Sequence, residues 1–201
     1  HEKWVYDARE NDGGEYLVSA SDDGTAMIFD ILSGKEKQML KVNGWGINKS
    51  LFLWQRDKIV TAGDDGAVRL WNVETGKPEY SFRAHRDWVM DLALSPDKKH
   101  MASAGDDQLV KIWNLDTYSH KMTILAHRNW VYDVEFSPDG SHLISAGKDS
   151  AVRIWNAQNG KLIRTLTGFK GWVYSVDYSP DGKYLLTASR DGTLRLYETS
   201  R

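Results

Sequence analysis

Cysteine is absent from the 201-residue chain, which excludes disulfides, Cys-ligated zinc and thiol catalysis. No apolar run approaches the ~20 residues that a membrane-spanning helix needs. The opening His1-Glu2-Lys3-Trp4 carries no basic region followed by an apolar stretch, so no signal peptide is visible. Neither charge sign dominates, with 26 Lys+Arg against 28 Asp+Glu and a net charge of −2. That balance argues against a domain built chiefly to grip phosphates, and no membrane partner is expected. Apolar residues nowhere recur with the 3.6-residue period of a long helix. On these absences the expected location is intracellular, in cytoplasm or nucleus. What remains is a globular composition, 41% hydrophobic and 27% charged, with nine Trp and nine Tyr.

The aromatic excess is explained by a repeat. Phe29, Trp71, Trp113, Trp155 and Tyr197 stand 42 residues apart. Asp23, Asp65, Asp107, Asp149 and Asp191 keep the same spacing, as do the hydroxyls Ser19, Thr61, Ser103, Ser145 and Thr187. A fourth column holds His1, Asn43, His85, His127 and Phe169. The chain therefore divides into repeats 1–42, 43–84, 85–126, 127–168 and 169–201, read as one domain over 1–201.

Each repeat predicts strands. In the fourth, residues 130–136 are rich in aromatic and β-branched side chains, and Ser137-Pro138-Asp139-Gly140 supplies a turn. Residues 142–146, 151–155 and 161–166 follow as strands, separated by Gly147-Lys148-Asp149-Ser150 and a loop holding Asn159-Gly160. Four short antiparallel strands per repeat form a blade. One such sheet cannot bury both faces, so consecutive blades must stack.

Over its whole length the chain resembles the WD40-repeat β-propellers. The resemblance rests on the His loops (Ala84-His85, Ala126-His127), the Ser-Pro-Asp turns at 95–97, 137–139 and 179–181, the Asp of the second turn, and the closing Trp-Asn, Phe29-Asp30 and Tyr197-Glu198. It implies an all-β propeller whose innermost strands start near 4, 46, 88, 130 and 172, with a fifth blade lacking its outer strand. Most such rings have seven blades. Three readings therefore stand: part of a larger propeller, closure through self-association or a partner, and a five-bladed ring.

Ser103, His85 and Asp107 are the residue types of a catalytic triad, yet with Trp113 they recur as Ser145, His127, Asp149 and Trp155, and in degraded form in repeats one, two and five (Phe29, Asn43, and Phe169 with Tyr197). The resemblance implies a Trp–Ser/Thr–His–Asp tetrad that ties strands together. No enzyme activity, cofactor or metal is expected. The Asp22-Asp23, Asp64-Asp65 and Asp106-Asp107 pairs lack the alternating ligands of a calcium loop, and Gly44-Trp45-Gly46 is no phosphate loop.

Function is expected where the copies differ and face water. Trp4, Trp88, Trp130 and Trp172 begin the inner strands, with Trp45 one place early; the resemblance puts them on the narrow top face around a central channel. Arg86, Arg128 and Lys170 are adjacent. The residue before each tetrad Asp is Asp22, Asp64, Asp106, Lys148 and Arg190, an acidic arc followed by a basic one. A further column, Asp7, Lys49, Asp91, Asp133 and Ser175, is expected to point into the channel mouth. A two-signed rim around indoles suits a protein or peptide partner. The alternative is nucleic acid on the Arg/Lys/Trp arc of repeats three to five, against which the net charge weighs.

Overall fold

The computed structural model describes residues 1–54 and 57–199. They form strands and turns with no helix, in two compact units, His1–Met90 and Asp91–Arg201. The first unit holds two four-stranded antiparallel meanders. One comprises β1 (Val5–Glu10), β2 (Tyr16–Ser21), β3 (Thr25–Asp30) and β4 (Glu36–Lys41). The other comprises β5 (Ile47–Phe52), β6 (Lys58–Gly63), β7 (Ala67–Asn72) and β8 (Pro78–Arg83). A third meander starts at the unit boundary: β9 (Val89–Leu94), β10 (His100–Gly105), β11 (Leu109–Asn114) and β12 (Ser119–Leu125). Next come β13 (Val131–Phe136), β14 (His142–Gly147), β15 (Val152–Asn156) and β16 (Leu162–Leu166). The last sheet has three strands, β17 (Val173–Tyr178), β18 (Tyr184–Ser189) and β19 (Leu194–Glu198). These are the expected blades, and each inner strand begins one residue later than expected.

Packing between sheets explains the burial pattern. In the first unit Val18, Ile28, Leu40, Ile47, Phe52, Ile59 and Trp71 share one apolar cluster. In the second, Val134, Leu143 and Trp155 join Ala102, Val110 and Ile112, while Ile144, Val152, Val173, Val176 and Leu185 form another. A second strand covered on both faces reads as a continuous apolar run, as β14 does with Leu143–Gly147 all buried. The corresponding β18 alternates instead, leaving Tyr184 and Leu186 exposed. Outer strands β4, β8 and β16 are largely exposed.

Two local devices position the site. The turn joining second and third strands needs a left-handed residue: Gly24, Gly66 and Gly192 supply it, and Gln108 and Ser150 adopt it at φ 73° and 60°. A Cβ on Gly24 would lie 2.6 Å from the Val42 carbonyl oxygen. The second device is a bulge in the inner strand. The register of β1, β5, β13 and β17 against its neighbour skips one residue, at Tyr6, Asn48, Tyr132 and Tyr174. A bulged residue leaves the ladder and its side chain is re-aimed.

Candidate interaction surface

The tetrad is complete in blade four. Trp155 Nε1–H donates to Ser145 Oγ at 3.0 Å, Ser145 hydroxyl to His127 Nε2 at 2.8 Å, and His127 Nδ1–H to Asp149 at 2.7 Å. Each group satisfies the next, so a neutral imidazole completes the chain. Burial lowers the His127 pKa, against the pull of Asp149. Burial would raise the Asp149 pKa, but donors on His127, Arg128 and Arg153 outweigh it and hold the carboxyl well below its ordinary value. Ser145 has no exposed surface, and its oxygen is committed to two neighbours. That geometry fastens strands; it does not present a nucleophile.

Blade three carries the same four residue types, and blades one, two and five vary the set. Trp113 donates to Ser103 at 2.9 Å and Trp71 to Thr61 at 2.8 Å. In blade one His1 reaches Ser19 at 2.6 Å and Asp23 at 3.0 Å, but Phe29 has no donor to offer. In blade five, where Phe169 replaces the histidine, Arg195 lies over its ring at 4.4 Å, donates to the Gly168 carbonyl at 2.8 Å and stands 3.6 Å from Asp191. Arg69 and Arg153 likewise pair with Asp65 and Asp149. Sequence reasoning missed this basic column, although Arg69, Lys111, Arg153 and Arg195 keep the 42-residue spacing.

The inner-strand acids accept hydrogen bonds from backbone N–H groups of later strands. Asp7 accepts from the Ser50 backbone N–H at 3.4 Å, Asp91 from Val134 at 3.1 Å and Asp133 from Val176 at 2.8 Å. Each carboxylate thus ties its strand to the inner strand 43 residues on. Lys49 cannot accept a hydrogen bond and pairs back to Asp7 at 3.3 Å. Burial and the neighbouring Asp91 push the Asp133 pKa well above the usual carboxylate range. In β1, β5, β13 and β17 the bulge falls one residue before this column.

The rim residues are exposed or half-buried. In the first unit Trp4 is 77% exposed and Trp45 53%; Trp88 and Arg86 are exposed as well. Lys3 pairs with Asp22 at 3.3 Å. Adjoining clefts run from Trp4 past Lys3 and Asp22 to Trp45 and Asp64, and on to Arg86. Trp45 stands one place early, beside a crowded glycine. A Cβ on Gly46 would lie 3.1 Å from Asp22 Oδ1 and 3.0 Å from Asp64 Oδ2, so a side chain there would require both carboxylates to give way by a few tenths of an ångström. Burial and the proximity of Asp22 raise the Asp64 pKa, although Asn48 donates to it at 2.9 Å.

In the second unit the residues converge more tightly. Lys148 Nζ sits 3.7 Å from the Trp130 ring centre and 4.5 Å from that of Trp172. Arg190 stacks on Trp172 at 4.3 Å. Tyr132 and Tyr174, thrown out by their bulges, complete the cluster with ring centres 5.2 Å apart, and Tyr132 stands 6.0 Å from Trp172. Burial and the nearby Tyr174, against the opposing charge of Arg190, push the Tyr132 hydroxyl up to about 12. Sequence reasoning did not place Tyr132 and Tyr174 on the rim; the bulge that puts them there has no sequence signature of its own. Arg128 and Lys170 are exposed beside the stack, their backbone N–H groups bonded to Asp149 and Asp191. Asp106 is half-buried in the β10–β11 turn.

Elsewhere a groove of about 570 Å³ runs beside the Ser137-Pro138-Asp139 turn, lined also by Ile154, Ile163 and Tyr178. Antiparallel connectivity puts it at the blade end opposite the rim. Its acids are committed to their turns, Asp139 to Ser137 at 2.6 Å and Asp181 to Ser179 at 2.7 Å. Among the described residues no group of three or more His, Asp or Glu converges as a metal site.

Residues 1–30, 76–114, 118–156 and 160–198 match the family model described as WD domain, G-beta repeat. A search of the curated proteins gave no match. The stretch 31–75 lies outside the family match, yet its strands β5–β7 pair with β8 as a full blade.

Proposed function

Because the chain belongs to the WD40-repeat family, whose members generally act as scaffolds for protein–protein contacts, we propose that it binds a partner protein through the aromatic and charged rim. The observation that carries this reading is the Trp130–Lys148–Trp172–Arg190 stack. Indoles offer large contact area with few rotamers to freeze, and such residues dominate interface hot spots. Stacking also holds two long cationic side chains in place before binding, which lowers the ordering cost on association. The buried, mutually satisfied serine and histidine of the tetrad support a binding role over catalysis.

The test is capture of partners from cell extract by the wild-type chain and by a Trp130→Ala/Trp172→Ala variant, with circular dichroism as the control for folding. Loss of at least about 2 kcal/mol of binding, over tenfold, is expected at a hot-spot pair. Equal recovery by a folded variant would remove the rim from the interface.

A further inference from the structure

Four cations cluster on blades four and five: Arg128 and Lys170 on the loops that lead into β13 and β17, Lys148 and Arg190 in the turns that follow β14 and β18. No ion pair or side-chain hydrogen bond engages any of the four among the described residues; Lys148 and Arg190 contact only aromatic rings. The neighbouring basic side chains contrast with them, since Arg153 and Arg195 face Asp149 and Asp191 at 2.8 and 3.6 Å. In a chain of net charge −2, this patch has kept its positive charge uncompensated.

The indoles do not neutralise these charges. A ring quadrupole attracts a cation but leaves the N–H donors of Lys148 and the edge of the Arg190 guanidinium to be satisfied by solvent or a ligand. From that geometry we infer that the Trp130–Lys148–Trp172–Arg190 stack binds an acidic polypeptide segment, its carboxylates bonding to Lys148 and Arg190. The inference rests on the rim being a partner-binding surface and adds the chemistry of the partner. Lys148 Nζ and Arg190 Cζ both lie within 4.5 Å of the Trp172 ring centre, so they are at most about 9 Å apart. Side chains at i and i+2 on one face of an extended strand stand roughly 7 Å apart, which matches an acidic residue at every second position. Arg128 and Lys170 flank the stack as longer-range attraction, speeding encounter more than tightening the complex.

Single-stranded nucleic acid fits less well. Its sequence-tolerant binding depends on bases stacking on open aromatic faces, and here Lys148 and Arg190 occupy the indole surfaces.

The experiment uses the intact chain with a synthetic peptide about twelve residues long that alternates Glu and Ser. The same peptide with Gln for Glu and an oligouridylate of equal charge serve as comparisons. Binding is followed by calorimetry between roughly 50 and 200 mM salt. The Glu peptide is expected to bind at least about tenfold tighter than the Gln peptide and to weaken as salt rises. It should lose affinity several-fold in Lys148→Gln and in Arg190→Gln, whose altered side chains lie outside the apolar core. Equal binding of Glu and Gln peptides, unchanged binding by both variants, or tighter binding of the oligouridylate would each overturn the inference. If the Trp130→Ala/Trp172→Ala variant loses its protein partner while the Glu peptide fails to bind, the rim reading stands and the acidic assignment falls.

Discussion

Three donors meet on the Asp149 carboxylate: His127 Nδ1 at 2.7 Å, Arg153 Nη1 at 2.8 Å and the Arg128 backbone N–H at 3.0 Å. Removing the acceptor leaves a buried imidazole N–H without its bond, so Asp149→Ala should cost about 2–3 kcal/mol. At this chain length that lowers Tm by roughly 5–10 °C. Asp22→Asn, at the rim, should stay within about 0.5 kcal/mol. The acid dependence has a definite sign. The folded pKa of Asp149 is depressed below its ordinary 3.8, so its stabilisation is present above that value and is lost as pH falls through the folded value. His127 acts in the same direction from higher pH. Its folded pKa lies below 6.5, so acidification below that value protonates the unfolded chain first. Asp133 opposes both, because its raised pKa favours the folded state at low pH and that contribution fades as pH rises through the folded value. Thermal melts of wild type and Asp149→Ala should therefore converge as pH drops below about 4; a constant gap would contradict the network.

Among the elements, the turn between second and third strands is the most demanding. At Gly24 the left-handed φ of 80° and the Val42 carbonyl 2.6 Å from a would-be Cβ leave no room for a side chain. Gly24→Ala should cost about 2 kcal/mol or more in thermal unfolding. The same turn in blade four uses Ser150 at φ 60°. There Ser150→Gly should be neutral or gain up to about 1 kcal/mol, the relieved strain offset by the greater freedom of glycine when unfolded. A loss above 1 kcal/mol would show that Ser150 contributes more than backbone geometry. The bulges are the second informative element. One skipped residue in β13 and in β17 turns Tyr132 and Tyr174 outward, and in β13 the next residue, Asp133, accepts from a backbone N–H of β17.

For the whole molecule, the three-stranded sheet has the most consequence. Leu194 and Leu196 on β19, the edge of its sheet among the described residues, are 71% and 65% exposed, and an exposed apolar edge is a template for association. Sedimentation velocity should show the average mass rising with concentration in the wild-type chain. Leu194→Lys/Leu196→Lys should suppress that rise, since charge on an edge strand opposes further pairing. A wild-type chain that stays monomeric at high concentration would mean the edge is shielded in solution.

The sequence by itself determined the blades, because a 42-residue period of turn residues, alternating strands and one hydroxyl–Asp set per repeat leaves little choice of local structure. It also marked Trp130, Trp172, Lys148 and Arg190 as exposed variables in a constant frame. Their stacking, the outward tyrosines and the burial of Asp91 were decided by tertiary structure. A bulge is a property of two paired strands, and a cation seated between indoles requires residues 42 apart to meet; neither relation exists until sheets pack. Trp45 shows the same division: its offset is visible in the repeat, and the two carboxylates that converge on Gly46 only in the packed sheets.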